Sequence, residues 1–487
     1  MALNAAAPAG RQGSGVVGVL AVTGIVVSLM QTLVIPLLVN LPTMLNTSTA
    51  NASWVITATL LAGAVATPVT GRLGDMYGKR RIIFVCLGLL TAGSLLCGLT
   101  SDLMPMVVGR ALQGAGIGVI PLGISVMRDV LPRERMGSAV ALMSASLGVG
   151  GALGLPASAL VAQHFNWHVL FLGSAVLGVL TTVLVAVVVP ESPVRTPGRF
   201  DFIGTVGLAA GLVSLLLAVS KGSDWGWGSA ATLGLFVAAP VILFVWGVFE
   251  LRVSEPLVDL RTSARRQVLL TNAAGATIGF AMFAMSLILP QLLQLPKATG
   301  YGLGLSMVEA GLCLAPGGLV MMLLSPVSAR ITRVRGPRTS LIIGSGVIAF
   351  GYGLALVLVH AAWQIIIVTS VIGAGIGLAY AAMPALIMGA VPLSETASAN
   401  GLNTLMRSIG TSTAGAVIGV VLANTSTSLG GHALPSMTGF RTSFVIASAA
   451  SLLTMLTATL IRASRPQQLA RQASQPIRVT EPAEQVG

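Results

Sequence analysis

Apolar runs close to twenty residues long follow one another from one end of this chain to the other, with only short polar breaks between them. A helix rising 1.5 Å per residue needs about 20 residues to cross a hydrocarbon core of about 30 Å. Runs of that length, repeated throughout, specify a polytopic all-α membrane protein rather than a water-soluble core. The spans read as 16–39, 53–71, 82–100, 104–127, 137–161, 168–190, 202–220, 230–249, 267–291, 307–328, 339–359, 362–386, 400–424 and 440–461. Composition agrees: 8% of residues are charged, about a third of what an ordinary soluble surface carries, and 54% are hydrophobic. The 58 glycines suit helices that approach one another closely in lipid.

The net charge of +13 is spread through the breaks between spans, which argues against a nucleic-acid-binding face. With the N-terminus inside, 22 of the 27 basic residues fall in inner segments and Lys221, Lys297 and Arg441 in outer ones. Arg110 and Arg407 stand within spans. That bias predicts a multi-pass plasma-membrane (cell inner membrane) protein with both termini cytoplasmic, and a missed span would invert it downstream. The run from Val16 is longer than a signal-peptide core and reads as a retained first span. The tail after Arg462, rich in Gln, Pro and Ser, reads as disordered. No loop is long enough for a soluble catalytic domain. Cys86, Cys97 and Cys313 lie in apolar runs without a pairing pattern, and the histidines lie at outer ends or loops, so no metal, cofactor or hydrolytic constellation is expected. Trp225 and Trp227, beside Asp224, fit an interfacial anchor in the linker of the seventh and eighth spans.

Gly71–Arg81, GRLGDMYGKRR, reads as a short charged loop between the second and third spans. Gly71 and Gly74 leave room for a close helix approach, and Gly78 can take a turn conformation that a side chain resists. Asp75 could accept hydrogen bonds from another helix's N-terminus or pair with an arginine, and a latch between helices is its favoured role. Lys79, Arg80 and Arg81 also serve as ordinary inner anchors of the third span.

This loop resembles the signature of the major facilitator superfamily. The resemblance continues in Arg110-Ala-Leu-Gln113-Gly114-Ala-Gly116 of the fourth span, in Pro132-Arg-Glu134-Arg135, and in Gly148-Val-Gly150-Gly151-Ala-Leu-Gly154-Leu-Pro156 of the fifth, similar to the family's antiporter motif. With fourteen spans, it points to the drug/proton antiporter branch. It implies two six-helix bundles, 16–190 and 267–461, with two inserted helices in 202–249, flanked by tails 1–15 and 462–487. The segment Ser328–Thr339 reads as a degraded echo of the first motif, with Arg330, Arg333, Arg335, Gly336 and Arg338 but no acid in the place of Asp75. Two such halves rocking about a midplane site would give alternating access.

Arg110 is too costly to face lipid and should face the bundle interior, a watery cavity or an acid, with a structural role bonded to backbone carbonyls as the alternative; Gln113 shares its helix face. The resemblance ties this arginine to proton coupling or the central cavity. In the first span, Met30 stands where the family branch carries an acid, so this position cannot hold a proton, and Gln31 can hydrogen-bond a substrate without titrating; Met30, Gln31 and Gln113 are expected in the wall of the substrate cavity. Glu309, within or at the outer edge of the tenth span, is the best remaining titratable candidate, with an interfacial, water-facing role as the alternative. Arg128 and Asp129 close the fourth span at the inner boundary and join the candidate switch, although Asp129, like Glu395, also fits simple loop pairing. Asn403 and Arg407 share a face that either lines the route or lets the arginine snorkel inward. Gly150 and Gly154 permit tight packing, and Pro156 removes a backbone donor and can bend its helix.

The expected activity is secondary export of lipophilic or amphipathic small molecules, such as drugs or metabolites, by proton antiport, with a consequence for antibiotic resistance. Its expected partners are substrate, protons and the bilayer, and a monomer suffices. An uncoupled or uptake transporter of the same fold, supported by Met30, and a non-transporting scaffold or receptor are the alternatives.

Overall fold

Each apolar run closes into a helix because backbone N–H and C=O groups in lipid have only one another to bond. A computed structural model of the chain describes residues 9–34, 37, 41–195, 198–392, 395–429 and 432–462. Fourteen helices are long and apolar enough to span a membrane. The first six are α1 (Ala9–Thr32), α2 (Trp54–Tyr77), α3 (Lys79–Leu99), α4 (Leu103–Val130), α5 (Arg133–His164) and α6 (His168–Val188). An inserted pair follows, α7 (Phe202–Trp225) and α8 (Ala230–Glu250). The last six are α9 (Arg266–Gln294), α10 (Met307–Arg335), α11 (Pro337–Ala355), α12 (Ala362–Met388), α13 (Thr396–Asn424) and α14 (Met437–Leu460).

One large apolar core joins residues of α9 to α14, from Ala274 to Ile461, and two smaller cores are built mainly from α1 to α6. A further core is shared: Ala64 of α2, Leu208, Leu212 and Leu216 of α7, Leu257 and Val258 of the following loop, and Leu405 of α13. The inserted pair is therefore unequal. Helix α7 wedges against both sets of six, whereas α8 leaves Val237, Val241, Phe244 and Val245 exposed, a face suited to lipid. Trp225 and Trp227 are partly exposed in the α7–α8 linker. Lys221, in contrast, is buried: it donates to Ser53 and Asp224 and lies 4.8 Å from the Trp54 ring centre, tying α7 to the start of α2.

Three expectations need correction. The first span ends at Thr32 rather than 39, and helix already begins at Ala9, within the expected tail. Pro36 and the expected tail from 463 onward lie outside the described residues. The charged segment Gly71–Arg81 is almost entirely helical: α2 runs to Tyr77, α3 starts at Lys79, and only Gly78, at φ 113°, interrupts them. Segment Ser328–Thr339 repeats this, with Gly336 at φ 87° between α10 and α11. Charged residues at a span's end leave the lipid while their backbone keeps its helical bonds, so the charge marks the membrane boundary and not the helix end. The α13–α14 connection carries a short antiparallel hairpin, Ser426–Leu429 with His432–Pro435, which the sequence did not announce.

Candidate functional site

Between the two sets of six lies a cavity of about 240 Å³, lined from α1, α2, α4 and α5 on one side and α9, α10, α12 and α13 on the other. Its wall is mostly apolar, with Ile56, Leu60, Met282, Phe283 and Met321 among the contributors. Two guanidinium groups, those of Arg110 and Arg407, interrupt it, and no Asp or Glu lines it among the described residues. Glycines thin the wall where helices converge: a side chain on Gly150 would strike the Ile25 carbonyl of α1, and one on Gly154 the Thr32 hydroxyl. Pro156 lies within α5 and packs 3.0 Å from where a Gly311 side chain would begin, joining α5 to α10.

Arg110 is 2% exposed. Its Nε donates to the Val55 carbonyl at 3.2 Å, and its Nη1 donates to the Met30 carbonyl at 3.3 Å and to Gln113 Oε1 at 2.6 Å. Gln113 Nε2 in turn donates to Ser94 at 2.8 Å, which fixes the acceptor toward the arginine. Carbonyls and an amide, rather than a carboxylate, thus hold this cation, and its charge is left uncompensated beside the cavity. Arg407 is held similarly. It donates to Asn403 Oδ1 and Thr404 Oγ1, both at 2.9 Å, and stacks 4.4 Å from the Tyr380 ring centre. Asn403 also donates to Asn272 Oδ1 at 3.1 Å.

The basic end of the cavity is closed. There α2 and α13 approach so nearly that a side chain on Gly71 would stand 2.9 Å from the Ala397 carbonyl oxygen. Gly74 abuts Leu122 of α4 with equally little room. Asp75, 2% exposed, accepts a hydrogen bond at 3.1 Å from the amide of Ser398 in the first turn of α13. First-turn amides lack helical acceptors and carry the positive end of the helix dipole, so a carboxylate satisfies both. Lys79 is fully buried, donates to Asp129 and stands 3.8 Å from Asp75. Ser192 donates to the same Asp129 oxygen. Arg128 reaches across to the other set of helices, donating to the Met388 and Val391 carbonyls at 2.9 and 3.2 Å and to the Thr396 hydroxyl. Two carboxylates, one ammonium, one guanidinium and two helix ends therefore form one bolt between the halves.

A family model for the Major Facilitator Superfamily matches residues 20–415, most of the chain. The chain belongs to this superfamily. It is 26% identical over 317 residues to the uncharacterized MFS-type transporter YhcA of Bacillus subtilis (strain 168), covering 65% of this chain and 58% of that protein. It is 25% identical over 396 residues to Multidrug resistance protein 3 of the same bacterium, covering 80% of this chain and 75% of that one. Among solved structures, the human organic anion transporter MFSD10 (TETRAN) shares the fold at a TM-score of 0.65 and 14% identity, over 92% of this chain and 99% of that one. The protein is thus a superfamily-type secondary transporter of small molecules across a membrane.

Within this superfamily fold the residues picked from sequence divide sharply. Gln31 and Arg407 line the cavity, and Arg110 does as well. Met30, Gln113 and Asn403, expected in the wall, stand behind it: Met30 is packed in the first-half core and offers only its carbonyl, while the two amides hold the arginines. Snorkelling is not needed to explain Arg407, whose guanidinium turns inward over Tyr380. Glu309 is also corrected. It is exposed at the start of α10, where its carboxylate accepts from the Ser306 amide and Ser306 accepts from its own amide, a reciprocal capping box. The pattern Ser-x-x-Glu before an apolar run carried that signal. Tyr380 and the α8–α9 loop, which covers the Asp75 end, were not singled out from sequence.

Proposed function

We propose that this transporter exports lipophilic or amphipathic small molecules from the cytoplasm, driven by proton entry, through alternating access of the central cavity. The observation that carries this reading is an apolar cavity between the halves with its basic end bolted shut. The concentration of Lys and Arg at that end supports a cytoplasmic position for it, and on this reading the conformation is closed inward. Asp75, Lys79, Arg128 and Asp129 act as the conformational switch, Gly71, Gly74 and Gly78 provide its close packing, and Arg110, Arg407 and Gln31 contact the substrate. Two guanidinium groups without a carboxylate give the cavity a positive field, which favours neutral and anionic amphipaths over lipophilic cations. Likeness to Multidrug resistance protein 3 supports export of drug-like molecules. A monomer encloses the whole route, and both termini face the cytoplasm of a plasma membrane.

The test is accumulation in efflux-deficient cells of lipophilic cations, neutral antibiotics and amphipathic anions, comparing the intact protein with Arg110→Ala. Lower accumulation of neutral or anionic members, lost in the variant, is expected. Selective extrusion of cations that survives Arg110→Ala would defeat the assignment. A second reading, uncoupled facilitation, draws on Met30 and on the acid-free cavity wall. Proteoliposomes that move substrate without any pH change would favour it.

A further inference from the structure

The inserted pair α7–α8 brings two carboxyl groups face to face at its basic end. Asp201 caps α7, its Oδ1 accepting from the Gly204 amide at 2.7 Å, and Glu250, 2% exposed, is the last residue of α8. The second oxygen of each, Asp201 Oδ2 and Glu250 Oε2, is shielded from solvent and receives no hydrogen bond from a described residue. Both crowd the same point: a side chain on Gly204 would stand 2.1 Å from Asp201 Oδ2 and 2.6 Å from Glu250 Oε2, so it would strike each of them.

Two buried acceptors cannot face one another as ions, because the Coulomb repulsion and the lost hydration add. One proton between them converts an acceptor into a donor and removes both costs.

The charged groups near the pair are engaged elsewhere or turned to solvent: the Arg199 backbone amide donates to Glu255, Arg199 and Arg252 are exposed, Arg261 donates to the Leu251 carbonyl at 3.2 Å, and Asp259 caps the one-turn helix Leu260–Ser263. Arg72 and Asp75 of α2 and Glu395 before α13 line a pocket with Ser254–Asp259 of the α8–α9 loop, and neither Asp201 nor Glu250 lines it. Neither Asp201 nor Glu250 belongs to an ion pair among the described residues.

The pair is also wired to the bolt. Glu250 Oε1 accepts from the Val258 amide at 2.7 Å, the neighbouring Leu257 carbonyl accepts from the Ser398 hydroxyl at 3.4 Å, and the Ser398 amide donates to Asp75 at 3.1 Å.

We propose that Asp201 and Glu250 form a proton-binding site that holds one shared proton while the basic end is closed, and that its loss loosens the α8–α9 loop from α13. The proton leaves to water at the basic end, the two carboxylates repel, and the loop that carries Val258 and Leu257 moves away. This supplies a titrating site that Met30 cannot. Its role in coupling rests on the antiport reading, whereas the proton site itself does not.

The full-length protein in lipid nanodiscs tests this without substrate. Infrared difference spectra between low and high pH should show the carbonyl stretch of a protonated carboxyl, lost in E250Q and in D201N. Labelling of S263C, on the wall of the pocket beside Asp75, by a charged maleimide, taken as a ratio to a reference cysteine on an exposed loop that carries the thiol's own ionisation, should quicken as pH rises, by up to about tenfold per pH unit across the titration. The same cysteine combined with E250Q or D201N should rise with pH no faster than that reference thiol, since each leaves a neutral donor in the pair. A wild-type pH profile in both variants, or an unchanged carboxyl band, would overturn the proposal. So would labelling that follows sodium, exchanged for N-methylglucamine, instead of pH. Failure of transport by the intact protein would leave these results standing and would count only against the antiport reading.

Discussion

Two helix breaks at the basic end, one in each half, share a skeleton and differ in chemistry. Gly78 parts α2 from α3 and Gly336 parts α10 from α11, each as a single residue in the positive-φ region. Two residues after each glycine an arginine caps the last helix of its own half. Arg80 donates to the Ala186 carbonyl of α6, and Arg338 to the Ala458 and Thr459 carbonyls of α14. Three residues before the glycine the likeness ends: Asp75 is buried against α13, while its counterpart Arg333 is exposed. One residue after it, the buried Lys79 stands opposite Pro337, which has no charge to pair. A duplicated hinge is thus kept for packing in both halves, and only the first has been turned into a bolt.

The widest gap between the two is expected at Lys79. Lys79→Ala would leave Asp75 and Asp129 buried near one another without their cation, costing about 3–5 kcal/mol, whereas Pro337→Ala should change stability by less than about 0.5 kcal/mol. Thermal unfolding of the purified variants measures this, and equal losses would erase the distinction. Next comes Asp75→Asn, which keeps the shape but weakens the interaction with the first turn of α13. A loss of roughly 1 kcal/mol from the closed state would shift the balance of conformations about fivefold, while Arg333→Ala should leave transport unchanged. The smallest contrast tests the shared part. Gly78→Ala and Gly336→Ala should cost similar amounts, about 1–2 kcal/mol, because both demand positive φ. A cost at one glycine only would mean that the hinge is not common to both halves.

How far the sequence could be read follows from which forces act locally. Span number was legible because lipid imposes length and apolarity on each segment independently. Asp75 was legible as a partner for some helix N-terminus, since its place beside Gly71 and Gly74 already implied a close neighbour; that the neighbour is Ser398 depends on contacts 323 positions apart. Glu309 reads two ways from sequence because acids are scarce in the spans, although Ser306 three residues earlier favours its water-facing, capping role locally. The Asp201 and Glu250 pair was invisible for the opposite reason. Each looks like an ordinary boundary acid, and only the packing of α7 on α8 and the fold-back of Val258 make them face one another.

The most direct test of a bolt that closes the basic end and is confined to the first half is the distance between spin labels on Tyr77 and Arg335, at the basic ends of the two halves. Asp75→Asn should move the distribution toward longer distances, and Arg333→Ala should leave it as in the parent protein. Unchanged distances with Asp75→Asn, or an equal lengthening from both variants, would contradict the assignment of the bolt to Asp75.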